Sequence, residues 1–266
     1  MKRTIATVTL GLLLVLSSFS TSFSASDQPS EADLDEPAIF TEGQSKGAGE
    51  VIHVPDPLEP YNRLMYKFND KLYFWVLKPA AKGYKKVAPE VARKSIHNLF
   101  SNVTTPIRLV NCGLQGKFEG SAIELTRFFV NSTLGVAGLF DPAKSLIGLE
   151  KQEEDFDQTL GKYGLGPGLF IVWPFLGPSS ARGTVGMLGD WALDPTFYLS
   201  FVNSFAYTGV TAFQMVNETS LTLGDYEDLI KAAIDPYISI RDAYFQNRQS
   251  KINDKIKNKI EDKIEE

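Results

Sequence analysis

The sequence predicts an all-α fold: one helical domain, preceded by a leader and an acidic tether and followed by a charged helix. Three observations carry this. Asp-Pro and Thr-Pro pairs recur along the chain and place proline at the first position of a helix, where its missing N–H costs nothing. Apolar residues repeat at intervals of three and four rather than two. No series of alternating strands is legible.

The chain opens with Lys2 and Arg3, then an apolar run from Ile5 to Leu16, then small residues to Ser26. That order describes a secretory signal peptide over 1–26, cleaved after Ser24 or Ser26. The apolar run falls short of the roughly 20 residues that cross a bilayer. Loss of Lys2 and Arg3 takes the net charge from −5 to −7. This excludes a nucleic-acid partner, which asks for a basic face. Residues 27–55 hold seven acids against Lys46 alone, with Gly, Ser and Pro between them. They read as a disordered acidic tether with a reach of roughly 30 Å.

The folded body is expected over 56–248. Asp-Pro at 56–57, 141–142, 194–195 and 235–236 and Thr-Pro at 105–106 mark helix starts. Ser121 with Glu124 has the spacing of a capping box, and Asp225 through Asp228 marks a further start. In the first helix Tyr61, Leu64, Phe68, Leu72 and Trp75/Val76 share one face. Ile107, Val110 and Leu114 make the next stripe, and Ile123, Phe128, Phe129 and Leu134 fill the helix after Ser121. Phe170–Trp173 has the composition of a short strand, without an obvious partner. The tail, 249–266, repeats Lys-Ile every four residues and reads as a charged helix whose narrow Ile stripe drifts around the axis.

Catalytic signatures are missing. The two histidines are His53, in the tether, and His97. No G-x-S-x-G elbow and no Cys/His metal spacing occurs. Glu150, Glu153, Glu154, Asp155 and Asp157 lack calcium-loop spacing and read as a solvated loop or helix end. No cofactor or metal is implied. The stretch LGKYGLGPGLFIVWPFLGPSS (160–180) raises a phosphate loop through Gly164, Gly166 and Gly168. The expected following helix and Lys-Ser/Thr are absent, and Pro174 and Pro178 interrupt the segment. Two readings of Phe170–Leu176 remain, ordinary core and contact with lipid. The one cysteine, Cys112, reads as a small core residue, and no cysteine follows the leader where a lipoprotein would carry one.

Five stretches together resemble the MlaA (VacJ) family of Gram-negative outer membranes: DPLEPYNRLMYKFN (56–69), NLFSNVTTPIRLVNCGLQGK (98–117), LTRFFVNSTLGVAGLFD (125–141), DFDQTLGKYGLGPGLFIVWPFLGPSSAR (155–182) and DPYISIRDAYF (235–245). The resemblance implies a ring-like helical body lodged in the inner leaflet of the outer membrane. An amphipathic channel would carry misplaced phospholipid from the outer leaflet to a periplasmic carrier, with a trimeric porin as a further partner and no chemistry on the lipid. It makes Phe68 and Asn69 candidates for controlling the path, and Phe170, Trp173, Phe175 and Leu176 candidates for lipid or membrane contact. Attachment is expected to rest on body and tether. An acid is expected after Arg182, where Gly183 stands. The rival reading is a lipid-active hydrolase using Ser179/Ser180 or Asp155/Asp157, and a third is a scaffold that binds through the Lys-Ile tail.

Overall fold

Helices carry the body. The structure, a computed structural model, describes residues 56–265, with side chains through Asn253. The expected leader and tether lie outside the described residues, as do the side chains of most of the Lys-Ile repeat. In chain order the elements are α1 (Glu59–Leu72), a π-helical turn (Tyr73–Leu77), α2 (Lys78–Val87), α3 (Glu90–Val103), α4 (Thr105–Leu114), α5 (Phe118–Thr133), α6 (Pro142–Ile147) and α7 (Phe156–Lys162). A hairpin of β1 (Phe170–Trp173) and β2 (Gly177–Ser180) follows. The chain continues through α8 (Ala181–Leu193), α9 (Leu199–Val202), α10 (Ser204–Leu221), α11 (Asp225–Ala232) and the long α12 (Pro236–Glu265).

The start signals act locally, and those at Asp141, Asp225 and Asp235 do so as expected. Asp141 caps α6 by accepting the Lys144 N–H at 3.1 Å, and Asp235 accepts the Tyr237 N–H at 3.0 Å at the start of α12. Asp225 opens α11, where the Glu227 carboxylate reaches back to the Gly224 N–H at 3.0 Å. Four signals do something else. Helix α1 is preceded by Leu58 while Asp56 accepts from Asn62, and Thr105 is already inside α4, which follows Thr104 without a side-chain cap. Asp194 closes a turn through the Thr196 N–H, and α9 begins only at Leu199. Ser121 and Glu124 lie inside α5, which starts at Phe118. Glu124 is there to pair with Arg108 at 2.7 Å, not to cap.

The distribution of polarity is inverted. On α5 the buried face is Gly120, Glu124, Arg127 and Asn131, while Phe118 is 76% exposed and Phe129 59%. On α1 the apolar stripe of Tyr61, Leu64 and Phe68 faces outward and Asn62 is fully buried. The apolar core is small: Phe170, Val172, Tyr237 and Phe245 pack together, with Ala81, Cys112 and Ala143 buried elsewhere. A water-soluble domain buries its large apolar side chains first and rarely exposes contiguous apolar patches. No described helix is long and apolar enough to cross a membrane.

Ion pairs and carboxamides hold the polar interior. Arg127 binds Asp141 at 2.8 Å, and Arg182 binds Asp157 at 2.7 Å with both side chains buried. These interior charges thereby meet opposite charges, while the buried Arg93 donates instead to the Ser220 carbonyl at 2.6 Å. The acidic cluster is in part the expected helix end, since Asp155 and Asp157 open α7 and Glu150 and Glu153 stay exposed. But Glu154 and Asp157 are buried in this network, Glu154 meeting Lys117 and Asp155 meeting Arg248. Arg182 therefore finds its acid across the fold, without an acidic neighbour in sequence. Gly183 stands next to it because a Cβ there would come within 2.7 Å of the Tyr244 hydroxyl.

Asp190 sits against this network with no cation bonded to it among the described residues. It accepts the Asn111 amide at 3.1 Å and the Phe156 N–H at 3.0 Å. Burial, then the Asp155 charge, raises its carboxyl to about 6 from 3.8. The folded state holds this proton more tightly than the unfolded chain. The associated stability is present below pH 3.8 and is lost as pH rises through about 6. Asp190→Asn keeps both acceptor contacts. It is expected to raise the melting temperature by a few degrees near pH 7.5, with the difference closing near pH 4.

Candidate functional site

Two asparagines on one face of α1 build the site. Asn62 and Asn69 are seven residues apart, two helical turns, so their side chains point the same way. Asn62 meets the edge of β1, and Asn69 meets the chain where β1 runs into the tip. Asn62 donates to the Phe170 carbonyl at 3.0 Å and accepts the Val172 N–H at 2.8 Å. Asn69 donates to the Trp173 carbonyl at 2.9 Å and accepts the Phe175 N–H at 2.8 Å. A carboxamide carries one donor side and one acceptor side, as a peptide group does. Asn62 thus takes the place of one residue of a neighbouring strand and covers the edge, while Asn69 clamps the turn.

The other edge of β1 pairs antiparallel with β2, Phe170 opposite Ser180 and Trp173 opposite Gly177. Sequence reading missed this partner because Gly-Pro-Ser-Ser has none of the β-branched or aromatic residues that mark strands. Pro174, Phe175 and Leu176 form the tip. Phe175 adopts φ +66°, a backbone region that residues other than glycine seldom occupy. The Asn69 clamp holds it there. Phe175 and Leu176 stay more than half exposed, and Phe68 meets the Phe175 ring edge to face at 5.3 Å.

Beside the tip lies a cavity of about 350 Å³, walled by Tyr66, Leu72, Tyr73, Phe170, Val172, Phe175, Leu176, Tyr226, Leu229 and Ile240, with Asn69 at its margin. Three of its phenol hydroxyls are turned toward acids. Tyr226 donates to Asp70 at 2.9 Å, Tyr73 to Glu227 at 3.0 Å, and Tyr237 to Asp56. Burial, reinforced by these carboxylates, raises all three phenols, Tyr73 to about 12, so they remain neutral donors. Burial pushes the Glu227 carboxyl up. The Lys78 ammonium at 2.6 Å, with the hydrogen bonds Glu227 accepts, outweighs it and brings the carboxyl down to about 2.

Of the six residues singled out by sequence, five converge here. Phe68 and Phe175 pack together, Asn69 fixes the tip, and Phe170, Phe175 and Leu176 wall the cavity. Phe170 does so from a buried core position. Trp173 turns elsewhere, its indole N–H donating to the Thr184 hydroxyl at 3.0 Å. Asn62, which sequence reading passed over, shares its face with Asn69, and that seven-residue spacing was the available signal. The rival catalytic residues have structural work. Ser180 caps α8 through the Gly183 N–H, the buried Ser179 hydroxyl faces the Ser180 carbonyl, and Asp155 caps α7. His97 is bonded to Glu218 at 2.8 Å, away from both serines. Among the described residues no group of His, Cys, Asp and Glu is placed to hold a metal ion.

Comparison with known proteins gives consistent matches. A family model described as MlaA lipoprotein matches residues 54–251. A Rickettsia felis protein is 33% identical over 215 residues, covering 80% of this chain and 84% of its own. The intermembrane phospholipid transport system lipoprotein MlaA of Escherichia coli K12 is 34% identical over 197 residues, 72% of this chain and 76% of that protein. A solved structure from work on the structural basis for maintenance of bacterial outer membrane lipid asymmetry superposes with a TM-score of 0.64 at 33% identity, covering 75% of this chain and all of that one.

Proposed function

The chain belongs to the MlaA lipoprotein family, and from that premise we propose that it is a non-enzymatic phospholipid transporter of the outer membrane. It takes misplaced phospholipid from the outer leaflet and passes it through an amphipathic path to a periplasmic carrier, maintaining lipid asymmetry. The body sits at the periplasmic side, in the inner leaflet, and a trimeric porin is a further partner.

The observation that carries this reading is the inverted polarity: buried polar faces on α1 and α5, apolar faces outside, and an exposed Phe175–Leu176 tip beside an apolar cavity. A bilayer makes exposed Phe and Leu favourable and requires interior charges to be paired. A phospholipid needs a route that is apolar for its tails and polar for its headgroup, and the two kinds of surface lie side by side here. The cavity wall suits an acyl chain, with Phe68, Asn69, Phe170, Phe175 and Leu176 as the contact and positioning residues.

Deleting the gene should raise outer-leaflet phospholipid and detergent sensitivity, and restoring it should reverse both. An outer leaflet of unchanged composition sinks the proposal. Pure protein incubated with labelled phospholipid should release no fatty acid; release would favour the hydrolase reading instead.

A further inference from the structure

We propose that the arm formed by α1, the π-helical turn and α2 is a docking surface for anionic phospholipid headgroups, engaged by Lys67, Lys71, Lys82, Lys85 and Lys86. The proposal rests on the membrane seating given above and adds the headgroup charge that the surface selects.

Charge is distributed unevenly along this acidic chain. Residues 67–94 hold eight Lys and Arg against Asp70 and Glu90, in a protein whose net charge is −5. The five named lysines are all exposed and make no ion pair among the described residues. Elsewhere Lys117, Lys144, Lys151, Lys231 and Lys251 each face a carboxylate. Unpaired ammonium groups are thus collected on one arm. Lys67 and Lys71 are four residues apart, and Lys82, Lys85 and Lys86 are three and four apart, so each set shares a helical face.

Apolar side chains stand beside them. Trp75 is 74% exposed, and Val87 and Val91, on either side of the α2–α3 turn, are 86% and 70% exposed. The Lys71 ammonium lies 5.7 Å from the centre of the Trp75 ring. A basic face interleaved with exposed Trp and Val suits a membrane interface: apolar groups enter the acyl boundary, and the lysine stems carry their charges to the phosphates. A nucleic acid would use the lysines but leave Val87 and Val91 without a partner. An anionic lipid surface uses both.

The test is co-sedimentation of the purified mature chain with vesicles of pure phosphatidylcholine, and with vesicles in which about a third of the lipid is phosphatidylglycerol. Binding to the anionic vesicles should be at least about tenfold tighter and should weaken with salt. The triple variant Lys82→Glu, Lys85→Glu, Lys86→Glu should lose about a hundredfold on anionic vesicles and little on neutral ones, at roughly fivefold per lysine. The matching Lys→Gln variant should show a smaller loss of the same kind. All three positions are exposed, so an unchanged thermal melt is expected and confirms folding. Equal binding to both vesicles, unaltered by the substitutions, overturns the headgroup preference and leaves the membrane seating standing. Binding to neither overturns both. Tighter binding to an RNA oligonucleotide than to anionic vesicles also overturns the proposal.

Discussion

Phe175→Asp combined with Leu176→Asp is expected to release the protein from membranes and stop lipid transport while leaving the fold intact. Both side chains are more than half exposed at the hairpin tip, so the interior gains no charge. The position of the tip is set by backbone groups bonded to Asn69 at 2.8 and 2.9 Å, which the substitutions retain. The stability lost is mainly the edge-to-face contact with Phe68, about 0.5–1.5 kcal/mol. The membrane loses more. Each substitution removes an apolar group from lipid and puts a carboxylate in its place, at about 2–3 kcal/mol per position. Vesicle binding should weaken by at least a hundredfold, or about 2.8 kcal/mol, and transport assays should fall with it. Retained binding and transport would return the tip to an ordinary exposed turn. Trp173→Asp is a poorer probe, because it also breaks the bond to Thr184 beneath the hairpin.

The helices were legible because their signals are local. Periodicity marks α1, and the Asp141, Asp225 and Asp235 starts place α6, α11 and α12, since a cap needs only residues close in sequence. The inner face was not legible. The stripe Tyr61, Leu64, Phe68 has the same spacing whether it meets a core or a lipid, and only the burial of Asn62 on the opposite face decides it. Glu124 illustrates the same limit: three residues after Ser121 it reads as a cap, yet its partner Arg108 lies on another helix. The site was half legible. Phe68, Asn69, Phe175 and Leu176 stood out by type and by family resemblance. The clamp joining α1 to β1 spans more than a hundred residues of chain and leaves no local trace. Gly183 departs from the family's expected acid, and its reason, the Tyr244 hydroxyl, is likewise distant in sequence.

Arg182→Met is expected to be the most destabilising single change in the body. Arg182 of α8 is bonded to α7 and to the loop after it: its Nε binds Asp157 at 2.7 Å and its Nη1 donates to the Leu165 carbonyl at 2.8 Å, while Asp157 also faces Arg248 of α12 at 3.5 Å. Both partners of the pair are nearly inaccessible to solvent. Removing the guanidinium leaves the Asp157 carboxylate buried with only the longer Arg248 contact. An uncompensated buried charge costs about 3–5 kcal/mol. In a domain of this size that lowers the melting temperature by roughly 10 °C. The second arm separates charge from packing. Asp157→Asn in the Arg182→Met background removes the orphaned charge and should recover at least about half of the loss, because a neutral pair of similar volume carries no comparable desolvation cost. If the double variant is instead no more stable than Arg182→Met alone, the cost lies in the Leu165 contact and the guanidinium packing, and the ion pair is not what holds α7 to α8.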